Sequence, residues 1–186
     1  LHIATLGTVL SLVIATPVAL LGARNICPFA PVNVLAQFIL VASRSVNSLV
    51  WALLFVAVFG PGPLAGTMAI AFRSVGFVGK LLAEALEETS RAPAEALTAT
   101  GAPWFSILVK AHWPQVAPAF YGIALFRWDI NVRESAVLGL VGAGGIGVAL
   151  DNSMNFFHWD QVAMTLIAIF TVVMLAEVAV SLIRRK

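Results

Sequence analysis

Charge is scarce in this chain. Only 11% of its 186 residues are charged, with a formal balance of +2, where an ordinary soluble domain carries about 25%. The few basic residues do not gather on an amphipathic face, which argues against nucleic acid as a partner. A single cysteine, Cys27, excludes an intrachain disulfide and a cysteine-built metal site, and reads as a small apolar filler. His158, beside Trp159, has no second ligand at metal spacing and reads as an interfacial residue. No signal-peptide n-region or cleavage site precedes the first apolar run, which opens at Leu1, so the sequence reads as a fragment. Nor is there a G-x-x-x-x-G-K-[ST] loop: "GFVGK" from Gly76 is too short and runs into leucine. No cofactor or metal is expected on this chain, and no ATP hydrolysis of its own.

What is present is hydrophobic: 60% of residues, at a mean hydropathy of +0.96. A spanning helix needs roughly 20 mainly apolar residues. Leu1 to Ala23, Leu64 to Leu82, Gln115 to Leu138 and Gln161 to Ile183 meet or approach that. Between Pro31 and Phe59 the run is broken by Ser43-Arg44-Ser45, which predicts an interfacial or tilted helix over Val32 to Ala42 and a short span over Ser45 to Phe59. "GPGP" from Gly60 to Pro63 predicts a tight reversal.

Basic residues concentrate on the cytoplasmic side of short loops. With five spans, Arg24 and Arg44, then Lys80, Arg91 and Lys110, then Arg184, Arg185 and Lys186 all fall on one side. The opposite connections, Gly60 to Pro63 and Gly139 to Asp160, contain none. The long loop from Ala83 to Pro114 and the C-terminus are therefore expected in the cytoplasm. Gly142, Gly144 and Gly147 then make a G-x-G-x-x-G at the outer end of a helix, with no strand before it. A dinucleotide site needs that strand, so close helix packing or a re-entrant turn is the better reading.

The long loop has its own punctuation. Pro93 suits a first helical turn, Glu95 complements its positive end, Gly101 suits the position after the last turn, and Pro103 stops continuation. A short exposed helix from about Pro93 to Thr100 is predicted, followed by a segment from Trp104 to His112 that returns to the bilayer at Pro114.

The span from Gln115 to Leu138 carries Arg127, Asp129, Arg133 and Glu134. At roughly +3 kcal/mol per central charge these cost up to about 12 kcal/mol, against about 4 to 5 returned by its large aliphatic and phenylalanine side chains. The helix must be sheltered by protein or line a wet cavity. At 100° per residue Arg127, Asn131 and Glu134 share a face, while Asp129 and Arg133, four apart, form a separate stripe and read as a structural pair. Two readings of Arg127 stand: a cation on a translocation path, or a partner of Glu134. Arg73 is a further cation at membrane depth, although Ser74 and Gly76 beside it equally mark tight packing. Glu177, near the end of the last span, reads as reaching the interface.

The series Glu95-Ala96-Leu97, Gly101, Ala111 and Trp113-Pro114 resembles, in residue type and spacing, the "EAA" loop of permeases of binding-protein-dependent ABC importers. It departs at Leu97, Ala111 and Trp113 but keeps the Glu, the Gly and the Pro. "SVGFVGKLLAEALEE" from Ser74, "ATGAPW" from Ala99 and "RWDINVRESAVLGLVGAGGIG" from Arg127 resemble the phosphonate permease branch, so the likeness covers nearly the whole chain. It implies an all-α membrane protein, a single type I ABC importer transmembrane domain over residues 1–186. Five spans stand here where the family usually has six, together with a cytoplasmic coupling helix. It implies transport of a phosphonate or related phosphorus oxyanion across the inner membrane, without covalent chemistry. It implies as partners a second permease copy, cytoplasmic ATPase subunits that bind the ATP, and a periplasmic binding protein. The coupling loop would comprise Glu95, Ala96, Leu97, Gly101 and Pro114. A methionine-type solute on the same architecture is the alternative. The capped cytosolic loop speaks against an ion-coupled secondary transporter. The lack of a second acid or a nucleophile–base pair at membrane depth speaks against an intramembrane enzyme using Asp129.

Overall fold

A computed structural model describes residues 1–26 and 29–184; the reading of Cys27 and the basic residues Arg185 and Lys186 lie outside the described residues. Among the described residues every regular element is helical: α1 (His2–Gly22), α2 (Ala30–Ser45), α3 (Ser48–Phe59), α4 (Pro63–Glu87), α5 (Ala92–Ala99) and α6 (Trp104–Ile107). A π-turn (Leu108–His112) then leads into α7 (Trp113–Leu138), followed by a 3-10 turn (Gly139–Val141), α8 (Ile146–Asn155) and α9 (Trp159–Arg184).

α4 is the centre of the bundle and packs against α1, α2, α3 and α7. Its sequence explains why, since its buried positions include Ala65, Gly66, Ala69, Ser74, Gly76, Gly79 and Ala83, which let backbones approach closely. At Gly76 an added Cβ would lie 2.5 Å from the Leu40 carbonyl oxygen and 2.7 Å from the Arg44 nitrogen. The tight packing expected beside Arg73 is therefore contact with α2.

α1, α9 and the segment through α7 are long and apolar enough to cross a membrane, and the α2–α3 pair, bent by 93°, adds up to one more span. α4, at 25 residues, has the length but does not count among these, so the described residues hold up to four such spans where the sequence suggests five. The break between α2 and α3 falls later than the serine–arginine interruption suggests. α2 runs through Arg44 because Ser43 Oγ donates to the Phe72 carbonyl and Ser45 Oγ to the Val41 carbonyl at 2.7 Å, so neither serine disrupts the helix. Asn47 then starts α3 by accepting the Leu49 N–H at 3.0 Å. α3 has twelve residues, about 18 Å of rise against a hydrocarbon core of about 30 Å.

The connections sort by end, except that Arg44, read from the sequence as part of the first connection, lies within α2 against the middle of α4 at Gly76. Gly62 N donates to the Gly142 carbonyl at 2.9 Å, joining the two connections that lack basic residues. Gly144, at φ +81°, lies so close that a Cβ there would stand 2.7 Å from the Pro63 nitrogen. The glycine-rich stretch is thus a turn packed on the reversal, and a helix, not a strand, precedes it. At the other end of the bundle Arg24 N donates to Glu87 Oε1 at 2.9 Å and Asn25 Nδ2 to the Leu86 carbonyl at 2.7 Å. α8 lies within what the sequence reading leaves as a plain connection, Gly139 to Asp160.

Candidate coupling loop and charged cluster

α5 occupies Ala92–Ala99, within a residue of expectation at each end, and none of its residues is buried. Glu95 and Ala96 are exposed and Leu97 is half-buried. Gly101 takes φ +74°, its N–H donating to Thr98 O at 2.9 Å, and Ala102 N donates to Leu97 O at 3.1 Å, which closes the helix. Trp104 and Phe105 at the start of α6 are exposed beside it. Pro114 sits in the first turn of α7. The two legs of the loop are tied together below α5: Thr89 Oγ1 lies 2.9 Å from His112 Nδ1, and Ser90 N donates to Gln115 Oε1 at 2.9 Å. These bonds tie the segment after the C-terminal end of α4 to the N-terminal end of α7 and the turn before it.

The charged residues of α7 fall into the two groups the helical spacing suggests. Asp129 pairs with Arg133 one turn on. On the other stripe Glu134 takes Arg73 of α4 on Oε1 and faces Arg127 Nη2 from Oε2 at 3.5 Å, an ion pair without a hydrogen bond. Arg127 is 2% exposed. Its Nε donates to Ser74 Oγ at 2.9 Å, and its guanidinium carbon lies 5.3 Å from the centre of the Phe77 ring. Ser74 Oγ donates to Asn131 Oδ1 at 3.2 Å, Asn131 Nδ2 to Thr8 Oγ1 at 2.8 Å, and Thr8 Oγ1 to the Ala4 carbonyl at 2.7 Å. This oriented chain ties α7 to α4 and α1 and satisfies Asn131 and the Nε of Arg127, while Arg127 Nη2 is buried without a hydrogen bond. Arg73, Arg127, Asn131 and Glu134 are thus brought together, while Asp129 pairs with Arg133 on the neighbouring stripe, from which Arg133 lines the same cavity as Arg73 and Glu134.

Sequence reasoning did not find Ser74, Thr8 or Phe77 as partners of the cluster, nor Thr89, His112 and Gln115 as the clasp of the loop. A signal existed for Thr8, which stands with Thr5 and Ser11 at three-residue spacing along one face of a mainly apolar helix. Among the described residues no group of three His, Cys, Asp or Glu side chains could hold a metal.

Residues 7–186 match the family of binding-protein-dependent transport system inner membrane components. The chain is 41% identical to the phosphite transport system permease protein PtxC of Stutzerimonas stutzeri, over 96% of this chain and 65% of that one. It is 38% identical to the phosphate-import permease protein PhnE of Mycolicibacterium smegmatis, over 94% of this chain and 33% of that one. The chain thus spans less than two thirds of the length of these relatives. The fold matches an inward-facing structure of the MetNI methionine ABC transporter with a TM-score of 0.80, at 23% identity, over 99% of this chain and 90% of that one.

Proposed function

Because the chain belongs to the inner-membrane components of binding-protein-dependent transport systems, we propose that it is the permease subunit of an ABC importer for phosphonate, phosphite or a related phosphorus oxyanion. The observation that carries the transport reading is α5, an exposed, capped helix whose two legs are clasped to each other at the ends of α4 and α7. Such a helix can pass a push from a cytosolic ATPase to both membrane helices, where a slack loop would absorb it. The phosphorus oxyanion is supported by the names of the relatives at 38–41% identity, ahead of the methionine alternative, whose transporter supports the fold alone.

In this reading two permease copies pair in the inner membrane, with α5 and the C-terminus in the cytoplasm. ATPase subunits bind and hydrolyse ATP, a periplasmic receptor delivers the ligand, and the permease itself makes and breaks no covalent bond. Arg73, Arg127, Asn131 and Glu134 supply the polar wall of the path. Arg73 and Glu134 lie at its accessible edge, and Arg127 stands behind them.

The test is uptake into proteoliposomes holding the full-length permease with its ATPase and receptor. Phosphite or methylphosphonate should accumulate with ATP and stop with vanadate, and excess methionine should not compete. Vanadate-insensitive uptake, or competition by methionine alone, would refute the proposal.

A further inference from the structure

The geometry points to an oxyanion-binding subsite within the permease itself, in the open cavity between the N-terminus of α3 and the last turns of α7. It rests on the reading of the cargo as a phosphorus oxyanion. The cavity is about 320 Å³ and is lined by Asn47, Ser48 and Leu49 of α3, Arg73 of α4, and Arg133 and Glu134 of α7. At about 30 Å³ per water, that volume takes a small anion with part of its hydration shell.

Three features converge there. The first is charge. Arg73, Arg127 and Arg133 are paired with only two carboxylates, Glu134 and Asp129, and the ion pairs among the described residues bring no third one to them. The cluster is one negative charge short of neutral in a setting where an uncompensated charge is costly. A monoanion supplies what is missing. The second is access: Arg133 is 51% exposed on its side chain and Arg73 28%, whereas Arg127 at 2% is closed off. Arg133 and Arg73 can therefore meet a solute while Arg127 holds Glu134 from behind. The third is depth. α3 begins about 17 Å from its far end at the Gly60 turn, near the middle of a 30 Å core, and its N-terminus brings partial positive charge to the same cavity. Asn47 adds its amide Nδ2, held in place because its Oδ1 accepts the Ser48 hydroxyl at 3.3 Å and the Leu49 N–H at 3.0 Å. Arg133 thus acts in ligand contact as well as in its pair with Asp129.

The test uses the assembled full-length transporter in proteoliposomes with phosphite as the probe. Replacing the pair together, Asp129→Asn with Arg133→Gln, leaves no stranded carboxylate and should lower phosphite uptake about tenfold at matched membrane levels. Ser48→Ala should lower it about threefold, and Arg133→Lys should restore most of the loss seen with glutamine. In receptor-free permease, phosphite should protect Arg133 from phenylglyoxal, read by mass spectrometry, where chloride does not. Wild-type uptake in the double variant and in Ser48→Ala, without protection of Arg133, overturns the subsite and leaves the transport reading intact. A wild-type transporter that moves an uncharged or cationic solute, and no phosphite, overturns both.

Discussion

Glu134 holds two arginines from different helices, taking Arg73 of α4 on one carboxylate oxygen and facing Arg127 of its own helix from the other. One carboxylate thus fixes the α4–α7 contact and balances a guanidinium that is almost wholly buried. Glu134→Gln removes the only carboxylate paired with either arginine among the described residues. Breaking a buried ion pair from one side costs about 3–5 kcal/mol, so the variant should show a sharply reduced monodisperse fraction on size-exclusion chromatography and a lowered melting midpoint. Adding Arg127→Gln should restore part of the loss. Wild-type melting of the single variant would mean that the carboxylate bears no structural load.

Gly101 and Glu95 provide a different kind of test, because neither lies in a membrane span. Gly101 sits at φ +74° and donates its N–H to Thr98. Proline, locked near −65° and without that hydrogen, cannot occupy the position. Gly101→Pro and Glu95→Lys should leave the permease in the membrane while abolishing ligand-stimulated ATP hydrolysis and co-purification of the ATPase. Normal recovery of the partner and normal stimulation in both variants would remove the coupling role of α5.

Topology can be read with single cysteines at Ser90 and Asn152 in a Cys27→Ser background. Ser90 belongs to the clasp beneath α5, and Asn152 to α8, which follows the turn packed on the Gly60–Pro63 reversal. A membrane-impermeant maleimide should label them from opposite faces of sealed inner-membrane vesicles, with Ser90 cytoplasmic. Labelling of both from one face would contradict the orientation drawn from the basic residues.

The sequence and the structure agree most closely where a local rule decides the outcome. Pro93 and Gly101 place α5 within a residue, and 100° periodicity separates the Asp129–Arg133 stripe from that of Arg127 and Glu134. They part where the answer depends on which helices meet. Arg73 and Glu134 are 61 residues apart in sequence, and no periodicity states that α4 and α7 face each other there. The sequence sets the end of α2 too early for a similar reason: Ser43 is satisfied by the carbonyl of Phe72 on α4, so what looks like a polar break in one helix is a contact between two. α8 is not legible because its ten residues, following one glycine-rich turn, carry too little pattern to separate a helix from a loop.

Two glycines with opposite surroundings test the close packing of α4. A Cβ at Gly76 would meet the α2 backbone at 2.5 Å, whereas one at Gly122 of α7 meets nothing within 4 Å. Gly76→Ala should destabilise by about 1–3 kcal/mol through overpacking. Gly122→Ala should be neutral or stabilising by up to about 1 kcal/mol, since alanine is the better helix former. Melting of the two variants in one detergent checks the contrast; equal melting would mean that α2 yields freely and is not pinned on α4.

The clasp beneath α5 makes a prediction about energy conversion that neither folding nor docking alone would make. Thr89 to His112 and Ser90 to Gln115 tie the end of α4 to the start of α7 at 2.9 Å each. Hydrogen bonds of this kind contribute about 0.5–1.5 kcal/mol apiece, too little for their loss to unfold a multi-helix bundle but enough to let the two legs of the loop move independently. Thr89→Val combined with Gln115→Ala removes both ties while leaving α5, Gly101 and the exposed docking face unchanged. The ATPase should therefore still bind and hydrolyse ATP, but each cycle should shift α4 and α7 less reliably, so the ATP consumed per ligand imported should rise several-fold. Hydrogen exchange over Ala92–Ala99 should quicken in the same variant, because the helix loses its anchored ends while keeping its caps. Paired measurement of uptake and hydrolysis on one proteoliposome preparation decides it. An unchanged ratio together with unchanged exchange would show that α5 is stiffened by α6 and the π-turn alone, and that the two hydrogen bonds beneath it carry none of the stroke.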